Sequence, residues 1–212
     1  MNIKSISFLS VCLISSSFTF ATETTVPVCD YTRLTINVPS TVKLIASGDS
    51  SGTVKGATKE LDALKYTCAN GKFEISTEDA VGIKEGLIFE LTNGSVSSLT
   101  LNGAQTVDIT NLAAKNFTLV VNGAGTSNLF GKVGEFSVSL NGAANVEATS
   151  LESQIGKIQV NGSGSVRLNV SSELTGKLNG SGRIEYLGTP QTIDTKINGS
   201  GSISTILVSP KI

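Results

Sequence analysis

From about residue 96 onward, apolar and polar positions alternate in short runs, and every run keeps its phase relative to one recurring dipeptide. Asn-Gly followed by Ala or Ser occurs at Asn102-Gly103, Asn122-Gly123, Asn141-Gly142, Asn161-Gly162, Asn179-Gly180 and Asn198-Gly199, at intervals of 18 to 20 residues. The residue before each Asn is Leu101, Val121, Leu140, Val160, Leu178 or Ile197, and three before it stand Leu99, Leu119, Val138, Ile158, Gly176 and Thr195. Five after it come Val107, Ser127, Val146, Val166, Ile184 and Ile203, and seven after it Ile109, Leu129, Ala148, Leu168, Tyr186 and Thr205. Apolar sites two apart on either side of a corner predict two half-buried strands per unit. A third apolar site, at Leu112, Val133, Leu151, Val170 and Leu187, adds another short strand. A period near 19 residues is one supersecondary unit repeated.

Two architectures fit this local pattern. In an antiparallel meander each Asn-Gly would be a two-residue hairpin turn. In a β-solenoid each residue stacks on its equivalent one coil away, which accounts for the same residue type recurring in the same phase. Residues 110–117, 131–135 and 150–157 share no turn chemistry that could close the other end of a meander. The expectation is therefore an all-β, single-stranded β-helix of about six coils over 96–212, with core at Val160, Leu168 and Leu178 and surface at Gln159 and Arg167. The Asn-Gly pairs read as structural corners where backbone with positive φ is tolerated, and stacked Asn side chains suit a hydrogen-bonded ladder.

Residues 32–95 alternate without the repeat. Strands are expected at 34–38, 42–45, 53–55, 72–75 and 87–91, and one or two helical turns between Lys59 and Lys65. Such a section suits a β cap over the first coil. Residues 1–21 read as a signal peptide: Lys4 precedes an apolar stretch from Ile6 to Phe20, and Thr19-Phe20-Ala21 is a small-residue cleavage site. Residues 22–31 form a leader segment before the cap. The apolar run is too short and too polar to span a bilayer, so the mature chain is expected to carry no integral membrane segment.

Export changes the reading of the cysteines. Cys29 and Cys68 remain after cleavage, and an oxidising compartment makes a disulfide between them the first expectation, with two buried thiols as the alternative.

The strings Val160-Asn-Gly-Ser-Gly-Ser-Val166, Leu178-Asn-Gly-Ser-Gly-Arg-Ile184 and Ile197-Asn-Gly-Ser-Gly-Ser-Ile203, following alternating strands, resemble the GIN domain named for autotransporter adhesin heads. The resemblance covers about 32–208, as one domain. It implies a bacterial exported, right-handed β-helix with no established activity. The sequence departs from the pattern at Gln105 and Ala144, where the second Gly is missing, and no autotransporter translocator is read in these residues.

Composition narrows the chemistry. Histidine and tryptophan are absent and the net charge is −1. Histidine-dependent triads are excluded, and without a basic patch nucleic acid is not an expected partner. Two Cys without His make a poor metal set. Carbohydrate-cleaving β-helices need clustered carboxylates. The outward column six after each Asn instead reads Asp108, Asn128, Glu147, Arg167, Glu185 and Ser204, an alternation of sign that suits a solvated, mutually paired face. No catalytic, cofactor-binding or metal residue is assigned. The expected role is structural, binding or adhesive, toward an extended polysaccharide or envelope protein. Its contact surface would be the outward column Thr100, Val120, Ser139, Gln159, Lys177 and Lys196. A carboxylate-based lyase or hydrolase is the alternative.

Overall fold

The computed structural model describes residues 22–78, 82–84 and 86–207; the expected signal peptide, 1–21, lies outside them. The described residues form a 13-stranded sheet. Its strands in the first part of the chain are β1 (Thr22–Thr25), β2 (Arg33–Ile36), β3 (Ser40–Ile45), β4 (Ser51–Gly56), β5 (Leu64–Ala69), β6 (Lys72–Thr77) and β7 (Leu87–Thr92), with a short helix α1 (Thr58–Asp62) between β4 and β5. The Asn-Gly units follow as β8 (Ser98–Gly142), β9 (Asn145–Gly162), β10 (Ser165–Gly180), β11 (Arg183–Leu187), β12 (Thr192–Asn198) and β13 (Ser202–Thr205). The length of β8 reflects ladder pairing that continues around its corners.

Pairing among the Asn-Gly units is parallel and joins equivalent positions. Asn141 pairs with Asn161, Asn161 with Asn179 and Asn179 with Asn198; on the other side of the corner Val146 pairs with Val166, Val166 with Ile184 and Ile184 with Ile203. A meander folded at each Asn-Gly would pair these strands antiparallel. Asn-Gly is instead a corner between two strands that both bond to neighbours one unit away. The inward columns are apolar because each alternate side chain has nowhere else to go: Leu99, Leu101, Leu119, Val138, Leu140, Val160, Leu168, Leu178 and Ile184 are all buried. Burying one such side chain stabilises the fold by about 1.5–3 kcal/mol.

The N-terminal section contributes more than closure. β2 and β3 pair in parallel with β8, setting Leu34 on Leu99, Ile36 on Leu101, Val42 on Val107 and Leu44 on Ile109. They make a further row of the same phase, centred on Asn37. β6 and β7 pair in parallel with β2 and β3 in turn. The direction changes only beyond these strands, where β5 pairs antiparallel with β6, β4 with β7 and β1 with β4. Two of these outer strands, β1 and β5, have no counterpart in the strands expected from sequence. The helical turns expected over 59–65 occur as α1, and β5 begins where they were expected to end. Cys29 and Cys68 form a disulfide with a Cα–Cα distance of 5.9 Å. It ties the segment carrying the buried Val26, Cys29 and Tyr31 to β5. At the opposite end, by contrast, all seven residues of β12 are exposed.

Candidate functional site

The corners come first, because they set the geometry of every outward face. Positive φ falls on the Gly of each Asn-Gly pair, from 126° at Gly103 to 145° at Gly123, and not on the Asn. Those angles lie far from the left-handed helical well that Asn tolerates, in territory open only to glycine. A Cβ at Gly123, Gly142, Gly162, Gly180 or Gly199 would also run into the carbonyl of the glycine one unit earlier. The second Gly has two uses: at Gly125 φ is 128° and a Cβ would run into the Gln105 carbonyl, whereas in later units only size matters. Gly164 and Gly182 have ordinary φ, yet a Cβ there would press on the backbone of Ala144 and Gly164 respectively. Gln105 pairs with Ser40, beside a preceding row in which Val38-Pro39 take the place of the glycine corner. Its buried amide Nε2 donates to the carbonyls of Val38 at 3.0 Å and Asn102 at 2.9 Å.

The asparagines form a ladder. Nδ2 of Asn122, Asn141, Asn161, Asn179 and Asn198 donates to Oδ1 of the Asn one unit earlier, at 2.8 Å in each case. Asn102 donates to Asn37 at 2.6 Å, and Asn37 donates to Glu74 Oε1 at 2.7 Å. All the amides point the same way, so each bond polarises the next and the row ends on a carboxylate. Lys72 binds the other oxygen of Glu74 at 2.6 Å. The hydrogen bond from Lys72, aided by its charge and by Asn37 and opposed by burial, holds the Glu74 carboxyl below its ordinary range. Asn37 was missed as a member of the repeat. The signal was present: Leu34, Ile36, Val42 and Leu44 occupy the same offsets around it as in the six later units.

Two outward faces flank the ladder. On one, charges alternate from row to row: Lys43 lies 3.1 Å from Glu90, Asn128 donates to Asp108 at 2.7 Å, and Arg167 bridges Glu147 at 2.7 Å and Glu185 at 3.4 Å. Burial pushes the Glu147 carboxyl up, but hydrogen bonds from the Thr149 hydroxyl and N–H and from Arg167 outweigh it, and the net direction is down. Glu90 is also held low, first by its hydrogen bond to Lys43. A general acid needs the opposite shift, so these carboxylates are arranged as ion-pair partners. No cluster of metal-ligating side chains occurs among the described residues.

The other face carries the column expected to meet a ligand. Thr100, Val120, Ser139, Gln159, Lys177 and Lys196 stand outward on successive rows, and Ser139, Gln159 and Lys177 are in direct register. A shallow groove of about 290 Å³ runs across it, lined by Thr118, Ser137, Ser139, Gln159, Thr175 and Lys177 among others. Lys157 on the same face is engaged by Glu135 at 2.6 Å. Aromatic rings are mostly internal: Tyr31 and Tyr66 stack on Phe73, and Phe117 stacks on Phe136. A further cleft of about 380 Å³ lies beside the disulfide end, between Tyr31, Asp49, Ser50 and Asn93. No helix among the described residues is long and apolar enough to cross a membrane.

Comparison with known proteins agrees with this geometry. A putative adhesin from Bacteroides fragilis NCTC 9343 has a similar solved structure, with a TM-score of 0.72 at 15% identity, covering 88% of this chain and 97% of that one. A putative adhesin from Parabacteroides distasonis ATCC 8503 superposes with a TM-score of 0.54 at 12% identity, covering 89% and 98%. At such identities the likeness is one of fold. No curated protein matches the sequence. The family described as "Putative auto-transporter adhesin, head GIN domain" matches residues 30–190, and the chain therefore belongs to the GIN domain family.

Proposed function

We propose that this chain is an exported, non-enzymatic β-solenoid of the bacterial envelope that holds an extended acidic polysaccharide along the face carrying Ser139, Gln159 and Lys177. In this reading residues 1–21 are a cleaved signal peptide and 22–31 a leader. Residues 32–95 make the N-terminal part of one right-handed β-helix and 96–212 its Asn-Gly coils. The observation that carries the ligand assignment is the shallow groove: hydroxyls, an amide and an ammonium group lie in adjacent rows on a flat surface. Rows in a sheet are about 4.8 Å apart, close enough for a polymer to contact several at once. Each contact is weak, and affinity comes from their number. The family and the adhesin-named structures of similar fold support an adhesive role outside the cytoplasm. The paired state of Glu147 and Glu90 favours binding over cleavage.

A panel of acidic and neutral polysaccharides, assayed for both binding and cleavage, tests this. The expected result is salt-sensitive binding of acidic chains without turnover, weakened several-fold by Lys177→Glu with Gln159→Ala and unchanged by Asp108→Asn. Turnover abolished by Asp108→Asn or Glu147→Gln would establish the enzyme reading instead. Binding to envelope protein alone would move the ligand to that class.

A further inference from the structure

The last described strand of the face carrying Lys177 and Lys196 has a symmetric chemistry. β12 reads Thr192-Ile193-Asp194-Thr195-Lys196-Ile197-Asn198. About Thr195 its neighbours are opposite charges, the next positions are both isoleucine, and the outermost are both small and polar. One edge of β12 pairs in parallel with Glu173–Asn179 of β10. The other edge meets no strand among the described residues. Ile193 and Ile197 continue columns whose previous members, Leu174 and Leu178, are 0% exposed, yet they are themselves 48% and 44% exposed. Among the described residues the core column thus reaches β12 and stops uncovered. No ion pair joins Asp194 or Lys196 to the described residues of the chain.

Backbone direction identifies which groups are left over. Outward-facing residues donate their N–H to the preceding unit: Thr118 to Ser97 at 2.9 Å, Ser165 to Ala144 at 3.0 Å, Ser202 to Gly182 at 3.2 Å and Ile206 to Tyr186 at 2.7 Å. Along a strand the N–H and C=O groups alternate sides in step with the side chains. Inward-facing residues therefore turn theirs toward the following unit. In β12 these are Ile193, Thr195 and Ile197, so the residues with uncovered apolar side chains also carry the unpaired backbone groups.

We propose that this edge is the interface of a twofold homodimer in which β12 pairs antiparallel with β12 of a second copy about an axis at Thr195. In that register Thr195 opposes its own copy, Ile193 opposes Ile197, and Asp194 opposes Lys196. The Thr195 and isoleucine positions are hydrogen-bonded pairs, giving roughly six backbone bonds across the axis. Asp194 and Lys196 fall at the intervening non-hydrogen-bonded positions, where opposed side chains come closest. Charge selects this alignment. Centring the pair on Asp194 or on Lys196 sets like charge against like, and parallel in-register pairing does so at both positions. The contact uses the same patch twice and closes on itself, so it consumes the exposed edge without propagating into a fibre. It also joins the two polar faces into one longer surface, whatever ligand they hold.

Sedimentation equilibrium of the full chain over about 1–100 μM, a range that brackets micromolar association, tests the proposal together with amide exchange. The expected result is a dimer whose dissociation constant rises roughly tenfold or more in Asp194→Lys and in Lys196→Asp, and returns to the starting value in the double exchange. Thr195→Pro removes the N–H that Thr195 turns to the unpaired edge and leaves the bonds to β10 in place, and should give a folded monomer. Should that variant fail to fold, the charge exchange decides alone. In the unaltered chain the amides of Ile193, Thr195 and Ile197 should lose protection on dilution. A monomer throughout the range would overturn the proposal, as would a dimer indifferent to both single reversals, or a double exchange that does not recover. Protection of these amides in a monomer would assign the edge to other residues of the same chain and equally overturn it. These measurements read self-association alone; Lys196 also stands in the column of the proposed polysaccharide face, so that reading is tested separately at Gln159 and Lys177 and can fail or hold independently.

Discussion

Leu168 and Arg167 are adjacent and face opposite ways, which makes them a sharp probe of phase. Leu168 is 0% exposed, whereas Arg167 lies outside between Glu147 and Glu185. Leu168→Ala should cost about 2–5 kcal/mol in a denaturant titration, as large-to-small core changes do. Arg167→Ala should cost under about 1 kcal/mol, because Arg167 stands at the surface and the pairs it makes with the half-buried Glu147 and Glu185 remain open to solvent. Similar losses in both variants would mean that the phase is wrong. At the corners, Gly142→Ala combines a φ of 137° with a Cβ driven into the Gly123 carbonyl, whereas Ala144, at the second position, already carries a Cβ. The first should destabilise by more than about 1 kcal/mol. The phase was legible because period-two apolar sites recur at fixed offsets. The division of labour within Asn-Gly was not. The ladder itself was expected from the stacked Asn, but both residues tolerate unusual backbone, and sequence does not say that Gly alone takes the positive φ. Asn37 escaped notice for a similar reason, since Val38-Pro39 replaces the glycine that makes its six relatives conspicuous.

At the scale of elements, the N-terminal strands depend on two fastenings that the Asn-Gly units lack. The Cys29–Cys68 disulfide closes a loop with a sequence separation of 39. On the chain-entropy model a loop of that size contributes roughly 4 kcal/mol. Cys29→Ser with Cys68→Ser should lower the unfolding free energy by a few kcal/mol, and reductant should affect the unaltered protein and not the variant. The second fastening is Glu74, which receives Asn37 and Lys72. Its folded pKa is depressed below the ordinary 4.5. Its contribution is therefore fully present above the unfolded pKa and disappears as pH falls through the lower, folded one. Urea titrations between about pH 3 and pH 6 should show an acid-side loss in the unaltered chain that is reduced in Glu74→Gln. The disulfide was legible from cysteine count and compartment. The antiparallel closure was only half so: β1 and β5 are exposed edge strands, and an edge that buries little leaves little alternation to read.

For the molecule as a whole, parallel stacking makes every row answerable to the one before it. The candidate binding face was legible because outward residues inherit the regular spacing of the core they cover. The groove across Ser139, Gln159 and Lys177 was not, since its depth depends on the relative heights of side chains in different rows. The row of amides has a consequence for the protein's chemical lifetime. In a flexible chain Asn-Gly is the dipeptide most prone to lose its side-chain nitrogen, because the glycine N–H meets little hindrance as its nitrogen attacks the neighbouring amide carbon. Here each interior asparagine gives its Nδ2 to one neighbour and its Oδ1 to another, which holds the amide away from that attack. Among the described residues Asn198 has a ladder partner on one side only. Peptide mapping of protein aged in its folded state should find conversion at Asn198 well ahead of Asn141 and Asn161, while protein aged in denaturant should convert all of them. Each event would leave a carboxylate facing an amide oxygen, two acceptors where a donor had been. Ageing would then advance inward from the exposed end, one row at a time.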